Sequence, residues 1–241
     1  MIQTSKPVIR LLVILGCALG VALSSFAAGP ESAQVAAVQY SEAETRMWMT
    51  DQLRGITRPM TLQYEFHKTG TFEPDLNFDD KAELLIEKIN ADGSKNGTLL
   101  FFFGERTPMD SSTVNPLLGH YLYADVSNMN RLTDPDGQAR ERWRYFHRAI
   151  KLALADAAAV RPTTIQYNGR SWKGHEISFT PYAKDPKRVL FEKFADKRYT
   201  VVVSDNLPGY LYRIETLVAG EDPARPLIHE VLQLTAVYPK K

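Results

Sequence analysis

The chain has 241 residues, with 29 lysines and arginines, 28 aspartates and glutamates, five histidines and one cysteine. Its even charge balance excludes a general nucleic-acid-binding protein, because such proteins carry a strong basic excess. A single cysteine excludes an internal disulfide and a thiolate zinc site, and no two histidines stand at metal-ligand spacing, so we expect neither a metal nor another cofactor.

The N-terminus has the three parts of a secretory signal peptide. Lys6 and Arg10 precede the apolar run 11–23 (LLVILGCALGVAL), and small residues follow it. This order is typical of exported proteins, and the run is shorter than the roughly 20 apolar residues of a membrane-spanning helix. We therefore predict that residues 1–27 are a signal peptide cleaved after Ala27. The mature protein is then periplasmic, with no membrane span.

The cysteine offers an alternative. Residues 14–17 (ILGC) resemble a lipobox, where a bacterial lipoprotein is cut and acylated on cysteine. Cutting there leaves an apolar core shorter than the usual signal-peptide range. We therefore favour a freely diffusing periplasmic protein over anchoring through Cys17.

Residues 28–40 are small and polar, which predicts a flexible leader, and residues 41–241 show no repeat and no linker, which predicts one domain. Ser41 and Glu44 are spaced as a capping box at the start of a short helix. Alternating apolar and polar residues then indicate strands, most of them joined by turn sequences. The predicted strands lie at residues 60–67, 82–90, 98–103, 163–167, 171–180, 199–204, 210–218 and 227–238.

Two helices interrupt these strands. Asn115 is a good N-cap with Pro116 at the first helical position. The longest helical pattern runs from residue 138 to 159, ends before Pro162 and has Trp143 on its apolar stripe. We expect that stripe to pack on the sheet, so that Trp143→Ala costs about 3–5 kcal/mol. The fold class is therefore α+β: a single open, curved antiparallel sheet of about eight strands wrapped around a long central helix.

The sequence contains none of the common catalytic or nucleotide-binding motifs, so we expect a protein that is not an enzyme. His67, His175 and His229 lie on predicted strands and could converge if those strands are neighbours and the histidines share a face. A histidine–carboxylate hydrolase is the weakest of the alternatives. Asp125 falls within an apolar helical pattern, and we expect it to be partly buried and paired with Arg131 or with the long helix.

The long helix also carries the candidate ligand-binding residues. Arg140, Arg144 and Arg148 are spaced four apart beside the inward-facing Trp143, and Tyr64 is one of several tyrosines on strands that suit an amphipathic lining. Arginines in this arrangement suit the anionic head group of a lipid at the rim of a hollow. A solvated helix face, or arginines paired with carboxylates at the sheet rim, is the alternative interpretation.

The order of elements resembles the half-barrel carriers of the LolA/LolB type. A strand at Leu62–Phe66 is followed by a glycine-containing turn, antiparallel strands, a helical insertion and a late turn at Leu207–Gly209 before two closing strands. The resemblance implies a curved sheet around helices, with an apolar hollow for acyl chains or a hydrophobic segment of another protein. We therefore hypothesise a non-catalytic periplasmic protein that binds an apolar or amphipathic ligand, such as a lipid or a lipoprotein. An envelope interaction or assembly protein with no small-molecule site is the alternative.

Overall fold

The computed structural model describes residues 39–133 and 140–239. The predicted signal peptide, Cys17 and nearly all of the predicted leader lie outside the described residues. No helix within the described ranges is long and apolar enough to span a membrane.

The domain begins with the predicted short helix, α1 (Glu42–Glu44), which continues as a π-helical turn, Thr45–Met49. Ser41 Oγ accepts a hydrogen bond from the Glu44 backbone N–H at 3.0 Å, and the Glu44 carboxylate accepts one from the Ser41 N–H at 2.9 Å. The capping box is therefore confirmed.

Nine strands form one antiparallel sheet in the described part of the chain, paired in the order β4-β3-β2-β1-β9-β8-β7-β6-β5. The eight predicted strands are all present, and the structure adds a ninth at the β4 edge. The strands are β1 (Met60–Thr69), β2 (Phe78–Ile89), β3 (Lys95–Phe101), β4 (Glu105–Ser112), β5 (Ala159–Tyr167), β6 (Arg170–Phe179), β7 (Arg198–Val203), β8 (Leu211–Val218) and β9 (Ile228–Pro239).

Two helices, α2 (Pro116–Thr133) and α3 (Arg140–Asp156), follow β4 and precede β5, so they connect the two edges of the sheet. Asn115 Oδ1 accepts the Leu117 backbone N–H at 3.0 Å, which confirms Asn115 as the N-cap of α2. The long helix ends at Asp156, earlier than predicted. Pro162 lies within β5, where it is tolerated because an edge strand leaves one side of its backbone unpaired.

Helix α2 contacts the sheet directly. Its Tyr121 ring lies 6.5 Å from the Phe66 ring of β1. In α3, the Phe146 ring contacts Phe191, at 4.6 Å, in the segment before β7. Trp143 is half-buried and its ring contacts Tyr123 of α2 at 5.2 Å. The observed ring and hydrogen-bond contacts of Trp143 are with α2 and α3, and its packing on the sheet stays a prediction.

Two glycines provide a matched test of this backbone. Gly119 is exposed within α2, and a Cβ added there meets nothing within 4 Å. We expect Gly119→Ala to raise the free energy of unfolding by about 0.5–1 kcal/mol, since alanine loses less backbone entropy in a helix. Gly209→Ala should lower it by more than about 1 kcal/mol, because Gly209 has a φ of +75° and its Cβ would lie 2.8 Å from Leu62 Cδ1. Urea unfolding measures both, and equal effects would contradict the backbone geometry.

Candidate ligand-binding cleft

A continuous row of side chains crosses the inner face of the sheet, the face that α2 contacts. The strand registers place Lys68 of β1 opposite Glu230 of β9, and Glu230 opposite Thr216 of β8. The row continues to Tyr199 of β7 on one side and to Phe78 of β2 on the other. Polar and charged side chains therefore occupy the middle of an otherwise apolar sheet face.

Glu230 is the centre of this row and is 7% exposed. Its Oε2 atom accepts hydrogen bonds from Thr216 Oγ1 at 2.9 Å and from the Tyr121 hydroxyl at 3.1 Å. Burial raises the pKa of Tyr121, so its hydroxyl stays protonated and remains a donor. Two ammonium groups flank the carboxylate, Lys68 Nζ at 3.8 Å from Oε1 and Lys197 Nζ at 3.9 Å from Oε2.

Asp125 of α2 completes what we call the buried ion network: Lys68, Glu230, Lys197 and Asp125. The Asp125 carboxylate is bound by the Lys197 ammonium and accepts a hydrogen bond from the Tyr199 hydroxyl at 2.7 Å. Burial raises the pKa of Asp125, although the Lys197 ammonium acts in the opposite direction. The predicted burial of Asp125 is confirmed, but its partner is Lys197.

Four phenylalanine rings stand beside this network. The Phe66 ring lies 5.2 Å from that of Phe78 and 4.4 Å from that of Phe102. Phe103 lies 5.4 Å from Phe78 and is 84% exposed. The rings therefore form an apolar wall that runs from the interior of the domain to its surface.

The outermost ring is held by a strained turn. Residues Phe102–Gly104 form a 3₁₀ turn in which Phe103 has a φ of +58°, in the left-handed region that non-glycine residues rarely adopt. The carboxylate of Asp80 accepts the Phe103 backbone N–H at 2.9 Å and so fixes this conformation. This turn therefore places the Phe103 ring at the protein surface.

Between the phenylalanine wall and α2 lies a cleft with a volume of about 390 Å³, which we call the aromatic cleft. This volume falls in the lower part of the range of small-molecule sites, about 300–1,000 Å³. Its floor is formed by part of the buried ion network and its mouth by Leu76 and Phe103. The lining residues are Phe66, Lys68, Asp75, Leu76, Asn77, Phe78, Phe102, Phe103, Tyr121, Ala124, Asp125, Asn128 and Glu230.

A cleft of this kind suits a molecule with an apolar body and one polar group. Its walls exclude water from the body, while the floor offers an ammonium group and two carboxylates. Within residues 39–133 and 140–239, no three histidine, cysteine, aspartate or glutamate side chains come together to hold a metal ion.

Tyr64, one of the predicted ligand-binding residues, is fully buried and does not line the aromatic cleft. Its hydroxyl donates to the Leu211 carbonyl at 3.2 Å and accepts from Asn115 Nδ2, also at 3.2 Å. Asn115 Nδ2 donates to the Gly209 carbonyl as well, at 2.9 Å. In this structure Tyr64 joins the start of α2 to β8.

The structure brings two of the other predicted residues together. Trp143 and Arg144 line a second cavity of about 410 Å³ with Tyr123 and Ser127, and the Trp143 indole N–H donates to Ser127 Oγ at 3.1 Å. Arg144 is exposed, as is Arg148. None of these three lines the aromatic cleft, and the side chain of Arg140 lies outside the described residues.

The strand histidines do not converge. His67 is 2.8 Å from Asp79, and His229 is 2.7 Å from Glu215, in separate pairs on the face of the sheet opposite the ion network. His175 instead contacts the Arg46 guanidinium at 3.0 Å.

The residues of the cleft were mostly missed by sequence reasoning, although one signal pointed to them. In β1 the buried positions are Met60, Leu62, Tyr64 and Phe66, and the same period of two places Lys68 on the same face. A lysine at an inward strand position is unusual unless it is paired. That signal was present in the sequence.

No protein-family model and no curated protein matches this chain. Among solved structures, it is similar to a LolA superfamily protein from Nitrosomonas europaea, with 9% sequence identity and a TM-score of 0.22. The similarity covers 85% of this chain and 95% of that chain. An identity and a TM-score this low carry no information about function.

Proposed function

We propose that this protein is an exported, non-enzymatic binding protein of the bacterial periplasm that holds an apolar or amphipathic ligand of the lipid or lipoprotein class in the aromatic cleft. The observation that carries the proposal is the cleft itself: about 390 Å³, walled by four phenylalanines and open at the surface. The basic and apolar N-terminal pattern supports export.

The absence of catalysis is part of the proposal. Neighbouring side chains donate hydrogen bonds to both carboxylates at the floor. Glu230 accepts from Tyr121 and Thr216, and Asp125 accepts from Lys197 and Tyr199. Both floor carboxylates are therefore already engaged with side chains of the protein. None of the five histidines lines the aromatic cleft.

The test is a titration with Nile red, a neutral dye whose fluorescence rises in apolar sites. Ala124 lines the cleft from α2 and is half-buried, so Ala124→Phe fills the cleft from one side. Each buried methylene contributes about 0.8 kcal/mol, so excluding a few of them should weaken binding about tenfold or more.

The matched control is Gly119→Phe, which adds the same side chain to the same helix at an exposed position outside the cleft lining. Its affinity for Nile red should equal that of the unchanged protein. Equal weakening in both variants, or no Nile red binding by the unchanged protein, would overturn the proposal.

An interaction protein with no small-molecule site is the second candidate, and one observation favours it. Phe103, at 84% exposed, and Leu76, at 43%, form an apolar edge at the cleft mouth. A partner could cover this edge with an apolar side chain of its own. In that case Phe103→Ser would abolish capture of the partner, and the unchanged protein would bind no Nile red.

A further inference from the structure

Among the residues that the structure describes, Lys68 is the one basic residue that lines the aromatic cleft. Its side chain is 8% exposed, so more than nine-tenths of it is removed from water. The nearest acidic group is Glu230 Oε1 at 3.8 Å, which is beyond hydrogen-bond distance. In the described part of the chain, no hydrogen-bond acceptor is found for the Lys68 ammonium.

An ammonium group in this position borders the cleft and has lost part of its hydration, so a partner at hydrogen-bond distance would stabilise it. Glu230 compensates only in part, since its other oxygen accepts two hydrogen bonds and it also faces Lys197 at 3.9 Å. The three donors of the Lys68 ammonium are therefore open to an acceptor that enters the cleft.

The mouth of the cleft has the opposite character. Phe103 and Leu76 are apolar and exposed there, and the charged lining residue beside them is Asp75, an acid. An anionic head group at the mouth would meet no cation of the lining and one like charge. An anionic head group at the floor would meet Lys68.

From these contacts we propose that the aromatic cleft takes a single-chain amphiphilic carboxylate, of the fatty-acid class, with its carboxylate bound by Lys68 at the floor and its chain lying along the phenylalanines towards Phe103. The inference rests on the proposed function and adds the ligand class and the ligand's direction. A single chain suits a volume of about 390 Å³. The buried ion network balances its two carboxylates with two ammonium groups, although Glu230 still competes with the ligand for Lys68.

The experiment is displacement of Nile red by three molecules that share one chain: oleic acid, methyl oleate and oleylamine. On the unchanged protein, oleic acid should displace the dye at a concentration about tenfold or more below that of methyl oleate, as expected for a hydrogen bond between charged groups. Lys68→Met keeps most of the length of the side chain and removes the charge. The acid should then bind like the ester, and binding of the ester should be unchanged.

Two further variants sharpen the test. Arg144→Gln, a change outside the cleft, should leave the preference for the acid intact. Glu230→Gln removes the internal carboxylate that faces Lys68, so the acid should bind several-fold more tightly while the ester is unaffected; this variant decides the question if Lys68→Met does not fold.

The outcomes separate the two proposals. If Nile red binds but the unchanged protein binds acid and ester equally, or prefers the amine, the carboxylate inference is wrong and the cleft remains a binding site. If Arg144→Gln removes the preference, the head group lies outside the cleft and the proposed direction is wrong. If Nile red does not bind at all, the proposed function fails first.

Discussion

Replacing Lys197 by methionine is expected to lower the free energy of unfolding by about 3–5 kcal/mol at neutral pH. The Lys197 side chain is 2% exposed and binds the Asp125 carboxylate, which is 3% exposed. Removing the ammonium leaves Asp125 buried with only the Tyr199 hydroxyl as a donor, and it also takes one cation from Glu230. Urea unfolding of both proteins measures the difference.

The control is a surface pair of the same kind. Arg54 contacts Asp205, but its side chain is 56% exposed. Arg54→Met should therefore cost less than about 1 kcal/mol, as exposed ion pairs do. Similar costs for both variants would mean that the network is more hydrated than its burial indicates.

The same variant has a defined dependence on pH. Burial raises the pKa of Asp125 in the folded protein, so the folded state binds more protons than the unfolded state between the ordinary aspartate pKa and the raised value. The ionisation of Asp125 therefore lowers the free energy of unfolding as the pH rises through that window. Removing Lys197 takes away the cation that lowers this pKa and widens the window.

The penalty of Lys197→Met should accordingly be largest at neutral pH and shrink as the pH falls to about 4 and below, where Asp125 becomes protonated in both states. The measurement is urea unfolding of the variant and the unchanged protein across this pH range. A penalty that grows on acidification would contradict the assignment of Asp125 as the group left unpaired.

The second large effect is expected at Phe146. This side chain is fully buried, and its ring contacts Tyr182 at 5.9 Å and Phe191 at 4.6 Å. Phe146→Ala should cost about 3–5 kcal/mol, because it removes apolar contacts and leaves a cavity. Trp143, three residues earlier in α3, is half-buried.

Trp143→Ala is the matched comparison, since it truncates a larger ring on the same helix. We expect it to cost about 1–2 kcal/mol, less than the full value for a buried aromatic residue, because part of the indole already faces water. Thermal or urea unfolding gives the order. A larger loss for Trp143 than for Phe146 would mean that α3 is rotated relative to this structure.

Most strands were predictable because their buried residues alternate. The helices α1 and α2 were predictable from their caps, Ser41 and Asn115, and α3 from its apolar stripe. Strand β4 was missed because its sequence, ERTPMDSS, places only Met109 in the core. An edge strand with one buried side chain has no period to detect. Its identity comes from pairing with β3, which is a tertiary contact.

The site was less predictable for a different reason. The run TLLFFF was read as a strand to Phe103, but β3 ends at Phe101 and the last two phenylalanines form a turn. Nothing in the local sequence signals this, because Asp80, twenty-three residues earlier, holds the turn. The cleft exists only once β2, the turn and α2 are assembled.

The buried ion network was predictable in part. Lys68 and Glu230 stand at inward positions of alternating strand patterns, and Asp125 lies in the apolar stripe of α2. Each of these three breaks the pattern of its own element, which indicates a shared buried cluster, whereas Lys197 directly precedes β7 and breaks no strand pattern. Which of them pair could not be predicted, since strand order is not a local property.

The most direct test of the central claim is native mass spectrometry of the exported protein, purified without added ligand, beside Ala124→Phe prepared in the same way. We expect the unchanged protein to carry an additional mass that matches one small amphiphile and is lost on mild activation, and Ala124→Phe to carry none. An unchanged protein that is free of any bound mass and also fails to take up oleic acid would contradict the claim that the aromatic cleft is a ligand-binding site.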